Sequence, residues 1–219
     1  MAYNFDKIAS TYDRLNHLMT LGLDRCWRRR AVRELSTFNF QLSVLDVACG
    51  TGDMAVELVR HGCDVTGIDI SEEMLVIARR KVENGKWQVA DAENLPFDDN
   101  AFDAVTCAFG VRNFAGLEGG LGEMARVLKP GGRLVILELS YPENPALLAL
   151  YKLYATKIIP ILGKIISGNR EAYEYLPSSI LAFPKPERFA LILNNIGLKT
   201  AKVRRMTFGV CTEYLAVKP

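Results

Sequence analysis

The sequence predicts an α/β fold: a doubly wound, mostly parallel sheet of seven strands, with a helical cover before the first strand and a helical insertion after the fifth. Three observations predict it. The run Val44-Leu45-Asp46-Val47-Ala48 is apolar enough for a strand buried on both faces, and it stops at Gly50-Thr51-Gly52 with a helical pattern directly behind. Strand-like and helical runs then alternate as far as residue 140, as they do when parallel strands are joined by crossovers. Two last strand-like runs, 199–206 and 210–217, face each other around Gly209 as an antiparallel hairpin.

Length and composition agree with one domain. The 219 residues are 49% hydrophobic and 24% charged, enough for a full core with a small insertion. The division by pattern is 1–40 as a helical lid, 41–140 as the central α/β unit, 141–183 as the insertion and 184–219 as a closing helix and strands. A net charge of +2 is too balanced to suggest nucleic-acid binding. Five widely spaced cysteines without a CxxC pair indicate neither a disulfide framework nor a zinc site, so no metal is expected. Reduced thiols, a charged N-terminus and the lack of a bilayer-length apolar run point to the cytoplasm.

Taken in order, Phe5 to about Phe38 reads as two helical pieces broken at Gly22, a cover or a lid. The turn at Gly50-Thr51-Gly52 lets backbone approach a ligand closely, and the helix from Met54 to His61 presents free N–H groups. The second strand ends in Asp69, seventeen residues past Gly52, close to the roughly 20 of a nucleotide-binding unit whose acid holds two ribose hydroxyls. Ser71 caps the next helix, which leaves Asp69 for that role. The third strand, 87–90, ends at Asp91-Ala92, where a carboxylate and a neighbouring N–H suit an adenine edge. The fourth, Phe102 to Ala108, runs into Phe109-Gly110-Val111-Arg112-Asn113-Phe114, and the turn Lys129-Pro130-Gly131-Gly132 precedes the fifth, Arg133 to Leu139. In 145–167, Leu147, Leu148, Tyr151, Tyr154 and Ile158 recur at helical spacing, with Pro160 bending or ending the run. Base rates favour a core helix there. An apolar wall for a greasy substrate or a membrane surface is the alternative.

These residues resemble the class I S-adenosylmethionine-dependent methyltransferases, and within them the ubiquinone/menaquinone biosynthesis C-methyltransferases. The class rests on DVACGTGD (46–53), Asp69, Asp91-Ala92 and LKPGG (128–132). The narrower likeness rests on FDKIASTYDRLNHLMTLGLDRCWR (5–28), LPFDDNAFD (95–103), FGVRN (109–113), LELSYP (137–142) and AYEYLPSSILAFP (172–184). Cys49, Ala108 and His17 depart from residues common in the family. The resemblance implies a Rossmann-like fold with S-adenosyl-L-methionine as cofactor. Gly50, Thr51 and Gly52 would face its methionine moiety, Asp69 its ribose, and Asp91 with Ala92 its adenine. Arg112 and Asn113 would face an aromatic acceptor.

The implied reaction moves a methyl group to a ring carbon ortho to a phenolic hydroxyl of a polyprenylated quinol. A guanidinium stays protonated, so Arg112 would stabilise the oxyanion and lower the hydroxyl's pKa while water takes the proton. A structural salt bridge is the competing role for Arg112. The polyprenyl tail would need an apolar channel, which turns 145–167 toward the wall reading and toward transient contact with a membrane surface. The ending FGVCTEYLAVK (208–218) looks like members that make menaquinone, hence demethylmenaquinol as acceptor. The benzoquinol precursor of ubiquinone and a non-catalytic cofactor-binding subunit are alternatives. A homodimer is compatible with the resemblance. A nicotinamide dehydrogenase would show a third glycine, missing from Gly50-Thr51-Gly52-Asp53-Met54-Ala55.

Overall fold

A computed structural model of the chain describes residues 9–35, 41–159, 161 and 170–219. The parts of the lid at 1–8 and 36–40, Pro160 and residues 162–169 of the insertion lie outside them.

Seven strands form one sheet in the order β3-β2-β1-β4-β5-β7-β6. They are β1 (Ser43–Val47), β2 (Asp64–Asp69), β3 (Lys86–Val89), β4 (Phe102–Ala108), β5 (Leu128–Leu139), β6 (Lys199–Met206) and β7 (Cys211–Val217). β1 pairs in parallel with β2 (Val44 opposite Val65) and β4 (Val44 opposite Ala104), and β4 pairs in parallel with β5 (Val105 opposite Leu134). β7 runs antiparallel to both of its neighbours. Strand order reverses between β1 and β4, so the crevice at their carboxyl ends is where such a sheet binds ligands.

Val44, Leu45, Val47, Val105 and Ile136 are fully buried, which explains why these strands read as unbroken apolar runs. On one face the sheet packs on Leu121 and Met124 of α5 (Leu117–Val127) and Phe189 and Leu193 of α8 (Pro186–Asn195). On the other it packs on Trp27 and Ala31 of α2 (Leu23–Arg33) and Met54 and Leu58 of α3 (Asp53–Arg60). α4 (Glu72–Lys81) starts at Ser71, whose hydroxyl accepts from Met74 N–H, as its sequence predicts.

One segment differs from expectation, and two lie in the expected helical insertion. The Lys129–Gly132 turn belongs to β5: Leu128 pairs with Phe102, and Gly131, at φ +76°, donates to the Lys218 carbonyl. On the β4 side the ladder jumps from Leu128 opposite Phe102 to Arg133 opposite Ala104, so the turn is a bulge within β5 held by Lys218. Residues Arg170–Ala182 form a helix, α7, although Pro177 stands inside it. In the described part of 145–167, the alternative weighed against a core helix is the one observed. α6 (Pro145–Leu153), capped by Asn144 and continued by a π-helical turn at Tyr154–Ile158, has no buried residue of its own. It is a wall rather than a core helix. Only beyond it do Ala155 and Ile159 become buried, against Leu15 and Met19 of α1 (Ala9–Met19). The insertion and the lid therefore share a small core apart from the sheet.

Candidate functional site

Two cavities meet at the carboxyl ends of β1 and β4. The smaller, about 160 Å³, is lined by Gly50, Asp69, Asp91, Ala92 and Asn113, with Ala48 and Ile70. The larger, about 450 Å³, lies between α1, α2, α6 and α7, and its lining is overwhelmingly apolar. Tyr12 and Phe109 line both. They form a partition that is wall to both spaces.

Local chemistry positions the smaller site. Gly50 has φ +55°, and a side chain there would meet nothing within 4 Å, so the turn is open on its ligand side. The Gly50 N–H donates to Asp69 Oδ2 at 2.8 Å, and Ser71 N–H donates to Oδ1 at 2.9 Å. The carboxylate at the tip of β2 is thus aimed by two backbone donors. Asp91 Oδ1 accepts from the Glu93 N–H at 2.9 Å, which orients it beside buried Ala92. Carboxylates held this way can accept from hydroxyl or amino groups of a ligand.

Thr51 and Gly52 do not line this cavity. The Thr51 side chain is buried, donates to Asp13 Oδ1 at 2.5 Å and accepts from Lys81 Nζ at 3.1 Å. Gly52, at φ +83°, turns the chain against Ala78 and Trp87. Both shape the loop from behind. Lys81 also bonds Asp13 Oδ2 and Asp53 Oδ1, each at 2.6 Å, so α4 clasps the lid helix onto the loop. His17, Asp24 and Asp53 come together nearby. Their oxygens already serve Arg28, Thr20 and Lys81, which makes the group a charge network.

Arg112 and Asn113, neighbours on the 3-10 turn Val111–Asn113, point to different places. Arg112 lines the larger cavity and Asn113 the smaller one. The two residues expected on the acceptor thus line different cavities. The Arg112 side chain is 6% exposed, and its Nη1 bonds Glu138 Oε1 at 2.7 Å and the Phe109 carbonyl. Glu138, 1% exposed, also accepts from the backbone N–H groups of Arg112 and Leu139. The two roles weighed for Arg112 are not exclusive. The ion pair, made to a strand rather than a helix, fixes the guanidinium at the cavity wall.

Burial raises the pKa of the Tyr12 phenol, against the pull of Arg112 and a hydrogen bond from Asn16, and pushes Tyr151 up to about 12. Both stay neutral near pH 7. Beneath the loop, Asp46 is wholly buried and pushed up to about 7 by desolvation, with one oxygen on the Thr106 hydroxyl at 2.8 Å and Oδ2 unpartnered.

Residues missed by sequence reasoning sit at the mouth. Leu21 and Phe208 line the larger cavity yet are 81% and 80% exposed. Both have positive φ, as do Ala48, Phe109 and Thr207 on the cavity walls; among described non-glycine residues only Asn100 has this geometry elsewhere. Such backbone is costly, and its concentration at the cavities, five of the six described cases, is what a functional site shows. The break in helical pattern at Leu21-Gly22-Leu23 was the available signal.

The ubiE/COQ5 methyltransferase family matches residues 2–218. A demethylmenaquinone methyltransferase of Thermus thermophilus is 46% identical, covering 98% of this chain and 100% of the relative. One from Bacteroides fragilis is 45% identical over 98% and 90%. A ubiquinone/menaquinone biosynthesis C-methyltransferase of Geotalea daltonii is 41% identical over 98% and 94%. Among solved structures, a SAM-dependent methyltransferase from Thermotoga maritima superposes with a TM-score of 0.69 at 19% identity over 98% of each chain. The [4+2]-cyclase SpnF gives the same TM-score at 18% identity, over 98% and 93%, so the fold alone does not specify a reaction. On the length and level of the sequence match, the chain belongs to the ubiE/COQ5 methyltransferase family.

Proposed function

We propose that this chain methylates a ring carbon of a reduced polyprenylated quinone, with demethylmenaquinol as acceptor and menaquinol as product. The observation that carries the reading is the pair of cavities that share Tyr12 and Phe109, one edged by paired carboxylates and the other apolar with a buried guanidinium. The cofactor is S-adenosyl-L-methionine, which supplies an electrophilic methyl group on a sulfonium.

The protein's tasks are alignment and activation of the nucleophile. Asp69 would accept from the ribose hydroxyls, Asp91 and the Ala92 backbone would meet the adenine edge, and the open face of Gly50 would leave room for the methionine end. Arg112 donates to the acceptor hydroxyl and stabilises the charge that develops as the ortho carbon attacks. Because it remains protonated, the hydroxyl proton passes to water. Glu138 keeps the guanidinium in place through the reaction. Asn113, at the partition, positions groups from the cofactor side.

The tail leaves along the wall made by Leu147, Tyr151, Tyr154 and Ile158. No helix among the described residues is long and apolar enough to cross a membrane. The mouth instead exposes Leu21, Phe208, Leu150 and Leu153, with Lys152 and Lys157 on the same segment as the two leucines. Apolar tips beside cations suit an anionic bilayer surface, and we infer transient contact there while substrate enters.

Offering demethylmenaquinol and the benzoquinol precursor in competition, with product masses read by spectrometry, tests the assignment. Methylated naphthoquinol should dominate. Preferential benzoquinol methylation would move the chain to ubiquinone synthesis. Cofactor binding without product from either would leave a non-catalytic subunit.

A further inference from the structure

The reading above gives a partner to one oxygen of the acceptor. A quinol has two, para to each other, so when Arg112 holds the hydroxyl next to the methylated carbon the second oxygen points to the opposite side of the ring. There it lies within an otherwise apolar cavity, where an unmet hydroxyl is penalised.

Few groups in the larger cavity have hydrogen-bonding capacity to spare. Asp24 is saturated: Oδ2 accepts from His17 and Arg28, and Oδ1 from Thr20. The Thr20 hydroxyl donates back to its own helix and to Asp24. Thr207 Oγ1 accepts from the Trp27 indole at 2.9 Å, which leaves a single neutral O–H to give, on the half-buried rim of the cavity. Asn16 is bound to the Tyr12 phenol.

Arg28 differs from these. It lines the cavity, its side chain is 8% exposed, and it bonds Asp24 through Nη1 only. Its Nε–H is buried without a partner, a state that native structures seldom keep unless something else satisfies the group. The guanidinium stacks on the Phe109 ring at 5.1 Å from the centroid, while Arg112 bonds the carbonyl oxygen of that same Phe109. The two cations thus flank one residue of the partition, at its side-chain and main-chain ends. Both act on the Tyr12 phenol.

We propose, resting on the quinol reading above, that Arg28 binds the second oxygen of the acceptor, so that Arg28 and Arg112 together select a 1,4-diol over a mono-hydroxy ring. Asp24 orients the Arg28 guanidinium, and Phe109 holds it flat against the cavity.

The test compares a short-chain demethylmenaquinol with the analogue lacking the hydroxyl remote from the methylated carbon. Wild-type enzyme should favour the diol at least about tenfold in kcat/KM, since a site built to bond a hydroxyl rejects the ring without it. In Arg28→Gln that ratio should collapse toward one, with cofactor Kd unchanged, and Arg28→Lys should recover part of it. Equal losses on both substrates would show that Arg28 only supports the fold, and an unchanged ratio would assign the second oxygen elsewhere; either result overturns the proposal. If Arg28→Gln does not fold, Asp24→Asn with Arg28→Gln removes the buried pair together and the same ratio is read. Wild-type inactivity on both substrates would instead remove the quinol reading, and this proposal with it.

Discussion

The two cavities share Tyr12 and Phe109 but are built in opposite ways. The smaller stands on strand ends: each carboxylate finishes a strand of the parallel sheet or follows one directly and is aimed by backbone N–H groups within two residues of it or in the facing turn. The larger is assembled from α1, α2, the insertion and the turn before β7, with a core of its own in Leu15, Met19, Ala155 and Ile159. One site is fixed by local geometry and the other by packing between distant segments. Chemistry common to a whole class belongs on the first. The choice of acceptor belongs on the second, where segments can vary without disturbing the sheet.

Substitutions should respect that division. The largest effect is expected at Arg112. Arg112→Ala should lose on the order of a hundred- to a thousandfold in turnover, as when an oxyanion donor is removed, while cofactor affinity stays within about twofold. Stranding Glu138 costs stability, about 3–5 kcal/mol for a broken buried pair, so Arg112→Ala with Glu138→Gln is the cleaner background. Wild-type turnover in either folded variant would end the proposed role.

Next is Asp46, which separates the sheet from the lid. Its folded pKa of about 7 stands above the unfolded carboxylate value of about 3.9. Stability from the neutral acid is therefore complete below about pH 4 and is lost progressively as pH rises to and through about 7, by roughly 4 kcal/mol in all. Asp46→Asn should flatten denaturation curves across that window and leave lid packing unchanged. A slope as steep as that of wild type would place the titrating group elsewhere.

Asp69→Ala should weaken S-adenosylmethionine binding about ten- to a hundredfold by calorimetry, the worth of one or two charge-assisted hydrogen bonds. Turnover at saturating cofactor should fall far less. A loss confined to turnover would blur the distinction between the cavities. The smallest effect is expected at the mouth. Leu21→Ser with Phe208→Ser should reduce sedimentation with anionic vesicles about three- to tenfold, with activity on a short-tailed acceptor retained. Unaltered sedimentation would mean that the membrane contact lies on another face.

The same contrast governs what could be read from the sequence. Gly50, Asp69 and Asp91 were legible because in a parallel sheet the end of a strand is also a place at the site. Thr51 and Gly52 sit in the same turn, but sequence does not say which way a turn residue faces. Asp13 and Lys81, from elements on either side, draw the Thr51 hydroxyl to the back. Arg112 and Asn113 were found by resemblance, yet their separation between cavities follows from the 3-10 turn that carries them. Helix α7 was legible only as part of a helical insertion, because Pro177 and a mixed pattern blur its bounds. The exposure of α6 was hidden because helical spacing of apolar residues describes a face and not what the face meets.

The reversed strand β7 bears on how the protein is made. β6 precedes it in the chain but has no sheet neighbour other than β7, which lies between β6 and β5. A nascent chain growing from its N-terminus must therefore hold β6 unpaired until residues 211–217 emerge. The rim residues Thr207 and Phe208, on the link between these strands, are set only then. The cofactor half of the sheet can form early, whereas competence for the acceptor arrives with the last strand. Shortening the chain within β7 would open a gap inside the sheet rather than trim its edge.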